Sequence, residues 1–188
     1  MIIVKNLYLK IIKYIVIIVC PFFIKCCKKM PYHSLQNTWV LYYHNPEDTD
    51  WSKESYTQVI AITTVEEFWA LQKTLPEQCL QSGMFFIMKK GILPIWEDPH
   101  NKNGGCWSYK ISLSDVHTTW KDLTLRLIID KLCTVPNLIN GISISPKKGF
   151  CVIKIWNNNH KHLEPEILSD KILALNHQEA MFIPFKNK

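Results

Sequence analysis

The stretch GILPIWEDPHNKNGGCW, residues 91–107, carries the side chains best suited to chemistry. Trp96 is followed at once by Glu97 and Asp98, and turn residues fill the run up to Trp107. A tryptophan at the mouth of a polar, Gly-rich loop is poorly placed to join a core. Beside a carboxylate, its flat face suits one kind of ligand. Guanine offers a π-face and two adjacent donors, N1–H and N2–H, which a carboxylate accepts as a fork. Stacking one base on an aromatic ring is worth roughly 1–3 kcal/mol. A positively charged base such as N7-methylguanine adds a cation–π contribution of up to about 2 kcal/mol when desolvated. Taken alone, however, the dipeptide is better explained by a tryptophan packed under its loop and a solvated glutamate.

Other chemistries find less support. The chain has no Gly-rich phosphate loop, nucleophile elbow or metal-ligand spacing, so neither an enzyme nor a metal or cofactor is expected. His160-x-His162 reads as a solvated loop. Seven scattered cysteines without a C-x-x-C fit free thiols in a reducing compartment better than a disulfide framework or zinc site. The net charge of +6 is local: residues 1–30 hold six lysines and no acid. The remaining sixteen basic residues face sixteen acidic ones, so the folded body has no general field for polyanions.

The elements that must position these side chains are legible from Pro31 onward. Seven stretches rich in β-branched and aromatic residues predict strands: NTWVLYYHN, YTQVIAIT, MFFIMKKG, CWSYKISL, NGISIS, GFCVIKIW and AMFIPF. Lys147-Lys148-Gly149 reads as a hairpin tip. Three helices are predicted. TTVEEFWALQKTL opens with the capping box Thr64-x-x-Glu67 and places Val65, Phe68 and Leu75 on one side. SDVHTTWKDLTLRLIIDKL has Asp115 as N-cap and an apolar face of Val116, Trp120, Leu123 and Leu127. EPEILSDKILAL starts with Pro165 in its first turn. Strands joined mostly by hairpins, with helices inserted, predict an α+β fold: an antiparallel sheet with about three helices on one face and the other face free.

Residues 1–30 differ in composition and are set apart from the 31–188 domain. The apolar run Tyr14–Ile24 is shorter than the roughly 20 residues of a bilayer span. Three readings fit: an anchor with acylated Cys26-Cys27, a signal peptide, or upstream sequence ahead of a start at Met30.

HSLQNTWVLYY, TTVEEFWALQKTLP, GILPIWEDPHNKNGGCW and GFCVIKIW together resemble the translation initiation factor 4E family, in order and in separation, over about residues 33–185. These proteins bind the 7-methylguanosine cap of eukaryotic mRNA. The resemblance implies a curved antiparallel sheet with helices on its convex back and the cap base between two tryptophans on the concave side. It makes Trp96 one stacking residue and Glu97 the acceptor for the guanine edge. Trp51, in the loop after the first strand, is the opposite stacker, with Tyr56 as runner-up. Trp156 matches the tryptophan that meets the methyl group. Trp39 and Trp107 read as core.

The resemblance is incomplete at the phosphates. Where the family has Arg-x-Lys, this chain offers Lys147 and Lys148, and lysine cannot form the bidentate fork. Cys106 stands where a basic residue is common. Lys154, two residues from Trp156, should share its face of the sheet. On the convex back, His33, Val65, Trp69, Asp122 and Leu125 match the family's receptor for a Tyr-x-x-x-x-Leu-φ helix of an initiation scaffold or binding protein. Ser34 replaces a proline, Lys121 an apolar residue and Asp122 a glutamate. The leading expectation is a cytoplasmic cap-binding protein that recruits a scaffold to start translation. Its rivals are a cap-binding competitor that represses translation, and an aromatic-lined carbohydrate or ligand module.

Overall fold

The computed structural model describes residues 32–169, 172 and 175–185. The segment 1–30, with its anchor, signal and upstream readings, lies outside them. Among the described residues no helix is long and apolar enough to cross a membrane.

All seven predicted strands form: β1 (Ser34–His44), β2 (Thr57–Thr64), β3 (Met84–Lys89), β4 (Gly105–Ser112), β5 (Ile139–Lys147), β6 (Phe150–Asn157) and β7 (Met181–Pro184). They make one antiparallel sheet in the order β2-β1-β3-β5-β6-β4-β7. Only β1–β2 and β5–β6 are neighbours in both sequence and space. The expectation that hairpins join most of the strands is therefore corrected. Local pattern marks a strand, but its partner is chosen by the packing of the whole sheet. The β5–β6 hairpin turns where expected, with Lys147 opposite Phe150 and Gly149 at φ +83°, a backbone conformation that favours glycine.

Side-chain alternation divides the sheet. On β1, Trp39, Leu41 and Tyr43 enter the main core, while Val40, Tyr42 and His44 point to the other face. On β6, Cys151, Ile153 and Ile155 enter that core, and Val152, Lys154 and Trp156 face away from it. Trp39 and Trp107 are fully buried, as read from the sequence.

The core is closed by α1 (Val65–Thr74), α2 (Glu77–Ser82) and α3 (Val116–Ile128). The capping box of α1 is present: Glu67 N donates to Thr64 Oγ1, and Glu67 Oε2 accepts from Thr64 N. Its inward side is Phe68, Leu71 and Gln72, on the predicted face, with Val65 and Leu75 at its two ends only half-buried. Gln72 is buried because it has a partner: its Nε2 donates to Thr124 Oγ1 at 3.0 Å and ties α1 to α3. On α3, Val116, Trp120, Leu123 and Leu127 are buried as expected. Asp115 occupies the N-cap but makes no capping bond with its side chain; its carboxylate accepts instead from Ser112 Oγ. The predicted third helix is corrected. Pro165 begins only a 3-10 turn, Pro165–Ile167, and residues 170, 171, 173 and 174 of that stretch lie outside the described set. α2, six residues long, is too short to show a helical period.

Candidate functional site

A pocket of about 480 Å³ opens on the concave face. Trp51, Tyr56, Trp96, Glu97, Lys154 and Trp156 all line it, so residues more than 100 positions apart in the sequence converge there.

Trp96-Glu97 belongs to no strand. The pair lies in the turn-rich connection between β3 and β4. Buried polar residues brace that connection from below. Asp98 accepts from Leu93 N at 2.9 Å and His100 N at 2.8 Å. Asn101, wholly buried, donates to Leu93 O at 2.9 Å and Ile95 O at 2.8 Å. Asn140 Nδ2, from the start of β5, donates to His100 O and Asn101 Oδ1, each at 2.8 Å. This explains the Asp and Asn of WEDPHN: they hold the loop, so that Trp96 and Glu97 can face outward. The loop then enters β4 through Gly104, where any Cβ would collide with the Asn157 carbonyl.

Trp51 stands on the loop between β1 and β2. Asx-type turns shape that loop. Glu47 N donates to Asn45 Oδ1, Asp50 N to Asp48 Oδ1 and Ser52 N to Asp50 Oδ1. The Ser52 N–H, and then its hydroxyl, hold the Asp50 carboxyl below its usual range. Trp51 and Trp96 are each 52% exposed, whereas Trp39, Trp107 and Trp120 are at most 1% exposed. Two half-bare indoles on one pocket are the signature of a ligand surface rather than a core.

Between these walls Glu97 is exposed and has no hydrogen-bond or ion-pair partner among the described residues. Tyr56 sits deeper. Burial first, and then the charge of Glu97, push its phenol up to about 12, so it stays neutral. Its ring packs on Phe86 at 5.3 Å and on His44 at 4.9 Å, making it part of the wall behind Trp51. Trp156 forms the floor. Its Nε1 donates to Ser143 Oγ at 3.0 Å, and its ring meets Phe185 at 4.9 Å. Phe185, Asp98, Asn101 and His44 were not singled out as site residues from the sequence. His44 and Phe185 look like ordinary strand ends there, although Asp98 was visible as the second acid after Trp96.

The cations divide. Lys147 and Lys154 line the pocket, and Lys154 shares the Trp156 face as alternation requires. Lys148, at the hairpin turn, is exposed and is not among the lining residues. Cys106 lies opposite Trp156 on β4 and is fully buried; burial pushes its thiol up to about 11, with a smaller downward pull from Lys154. It supplies no charge to a ligand.

The convex residues gather as expected, but each is already engaged. His33 Nδ1 lies 2.8 Å from Glu66 Oε1, and its carbonyl accepts from Val65 N. Asp122 takes Arg126 Nε on both oxygens at 3.0 Å. Trp69 is half-buried against Phe68, and Lys121 Nζ lies over its ring at 5.5 Å. Val65 and Leu125 are half-buried, and Trp69 and Leu125 pack against the core, so this face is not an open apolar patch.

Fold and pocket together define a class: a helix-backed, curved antiparallel sheet that carries an aromatic-walled ligand pocket on its open face. The family model described as "Eukaryotic initiation factor 4E" matches residues 34–188. The chain belongs to the eukaryotic initiation factor 4E family. It is 33% identical over 133 residues to eukaryotic translation initiation factor 4E-2 of Schizosaccharomyces pombe, covering 68% of this chain and 54% of that protein. It is 29% identical over 161 residues to the factor 4E of Aplysia californica, covering 82% and 73%. The fold matches C. elegans eIF4E-3 in complex with the 4E-binding protein Mextli and cap analog, at 22% identity and TM-score 0.65 over 72% of this chain and 80% of that one. It also matches a Schistosome eIF4E complexed with m7GpppG and 4E-BP, at 24% identity and TM-score 0.65 over 73% and 78%.

Proposed function

We propose that residues 31–188 bind the 7-methylguanosine cap of eukaryotic mRNA in the cytoplasm, and that the convex face recruits a scaffold or binding protein through a Tyr-x-x-x-x-Leu-φ helix. The task is recognition without bond-making. One observation carries the reading: two half-exposed tryptophans and a glutamate with no partner among the described residues face one pocket over a tryptophan floor. In this reading Trp51 and Trp96 sandwich the base and Glu97 accepts its N1–H and N2–H. Trp156 meets the methyl group. Lys147 and Lys154 neutralise phosphate, with Lys148 further out. The fold relatives solved with a cap analog and with m7GpppG support this choice of ligand. The test is retention on immobilised 7-methylguanosine diphosphate. Elution by 7-methyl-GTP but not by GTP is expected; equal elution by both would remove the methyl-selective reading.

A second reading, a cap-bound competitor that represses translation, gains support from the occupied convex face. Lys121 over Trp69 and Arg126 on Asp122 are contacts that an incoming helix must displace. Binding of an initiation-scaffold peptide separates the two: an activator takes it up and a competitor does not.

A further inference from the structure

We infer that His44 is a positioning residue for the Trp51 wall, holding the indole in its stacking position before any ligand arrives; this rests on the cap-binding reading of the pocket. His44 ends β1 and is completely buried, an unusual place for an imidazole. Its ring lies parallel to the Trp51 indole, with 4.3 Å between centroids and 6° between planes. Trp51 therefore has one covered face, leaving the other for the pocket it lines. The same imidazole ties down the backbone next to Trp51. His44 Nε2 lies 2.8 Å from Asp50 O, and because a carbonyl only accepts, Nε2 carries the proton. Nδ1 is buried and has no hydrogen-bond partner among the described residues.

The two contacts do different work. The hydrogen bond fixes the loop at Asp50, and the stack fixes the plane of the next side chain. Together with the Asx turns they make the wall pre-formed, so binding need not order it.

Two readouts on the full chain test this. The first needs no ligand: the fluorine NMR signal of Trp51 in protein labelled with fluorotryptophan, assigned through Trp51→Phe. His44→Ala should shift and broaden it; His44→Phe, which keeps a flat ring, should leave it narrow. The second is binding of 7-methyl-GTP by stopped flow and calorimetry. His44→Ala should weaken binding about tenfold, mostly through slower association, as expected when only a minority of molecules hold the competent wall. His44→Phe should recover most of the affinity, and His44→Gln, which can donate but cannot stack, should not. In a Trp51→Ala background His44→Ala should have no further effect, because His44 acts through Trp51. A loss that persists in that background overturns the inference, as does an unchanged Trp51 signal in His44→Ala. If that variant does not fold, the Phe and Gln variants decide alone: equal behaviour of the two overturns it. Failure of the wild type to bind 7-methyl-GTP would instead remove the cap-binding reading, while the ligand-free signal still decides the role of His44.

Discussion

The two faces of the sheet treat their tryptophans in opposite ways. On the concave side, Trp51 and Trp96 stand half-bare and Glu97 has no partner among the described residues. On the convex side, Trp69 lies under Lys121, Asp122 holds Arg126 and His33 holds Glu66. One surface is left open by the chain. The other is satisfied within the chain. A ligand on the first displaces little, because Trp51 and Trp96 are half-exposed and the Glu97 carboxylate is exposed. A helix on the second gains only the difference between its own contacts and those it replaces. The same family scaffold thus carries one pre-organised site and one self-competing site.

The largest effect expected from that contrast is at Glu97. Glu97→Ala removes a charged acceptor for two donors and should cost on the order of 3 kcal/mol in guanine-nucleotide binding. The melting temperature should barely move, since the side chain is exposed and the loop is braced by Asp98 and Asn101. Trp96→Ala should behave alike. Calorimetry with 7-methyl-GTP on the folded variants checks both. Near-normal affinity in Glu97→Ala would end the pocket assignment, and with it the claim that the concave face is the prepared one.

Next in size is Trp69→Ala, which should abolish binding of a Tyr-x-x-x-x-Leu-φ peptide while cap affinity is retained. A central aromatic of this kind is commonly worth about 2 kcal/mol or more when truncated. Because Trp69 is half-buried and packs on Phe68, some loss of melting temperature is also expected, unlike at Glu97. Loss of cap binding in the same variant would mean that Trp69 is a structural residue.

Much of this contrast could be read before the structure, and some could not. Strands were legible because each is a short apolar or alternating run bounded by turn residues, and α1 and α3 because they span enough turns to show a period. Strand order was not, since β3 pairs with β5, and β4 with β6 and β7, across long intervals of sequence. Trp51, Trp96, Glu97 and Trp156 emerged through resemblance, not through the dipeptide alone. The supports were hidden. Nothing local distinguishes His44 from any histidine after a strand, and its value depends on a loop folding back upon it. The self-occupation of the convex face was equally hidden, because helical spacing places Trp69 and Lys121 without saying that one ring lies under the other's ammonium.

Phosphate recognition offers a smaller test within the concave face. Lys147→Ala and Lys154→Ala should each lower the preference for 7-methyl-GTP over the monophosphate by several-fold, since partly exposed ion pairs are worth roughly 1 kcal/mol or less. Lys148→Ala, outside the lining, should change it little. Raising the salt should shrink all three differences. If Lys148 alone matters, the phosphate chain leaves the pocket over the hairpin tip and not along β6.

The smallest predicted effect bears most directly on why the faces differ. Lys121→Ala should improve binding of a peptide that presents an apolar residue opposite position 121. The ammonium lies 5.5 Å from the Trp69 ring centre on an exposed part of α3, where such a contact is worth about 0.5–1 kcal/mol. A helix that must cover Trp69 first displaces it, so removing it should strengthen binding by about that amount, a two- to five-fold gain. A peptide with a carboxylate at the same place should respond in the opposite direction, because it exchanges the indole for an ion pair with Lys121 and loses that pair in the variant. Titrating both peptides against wild type and Lys121→Ala gives a crossover if the convex face competes with its ligands. Parallel changes for the two peptides would mean that Lys121 only contributes net charge, and the contrast between the faces would then rest on Asp122 and His33 alone.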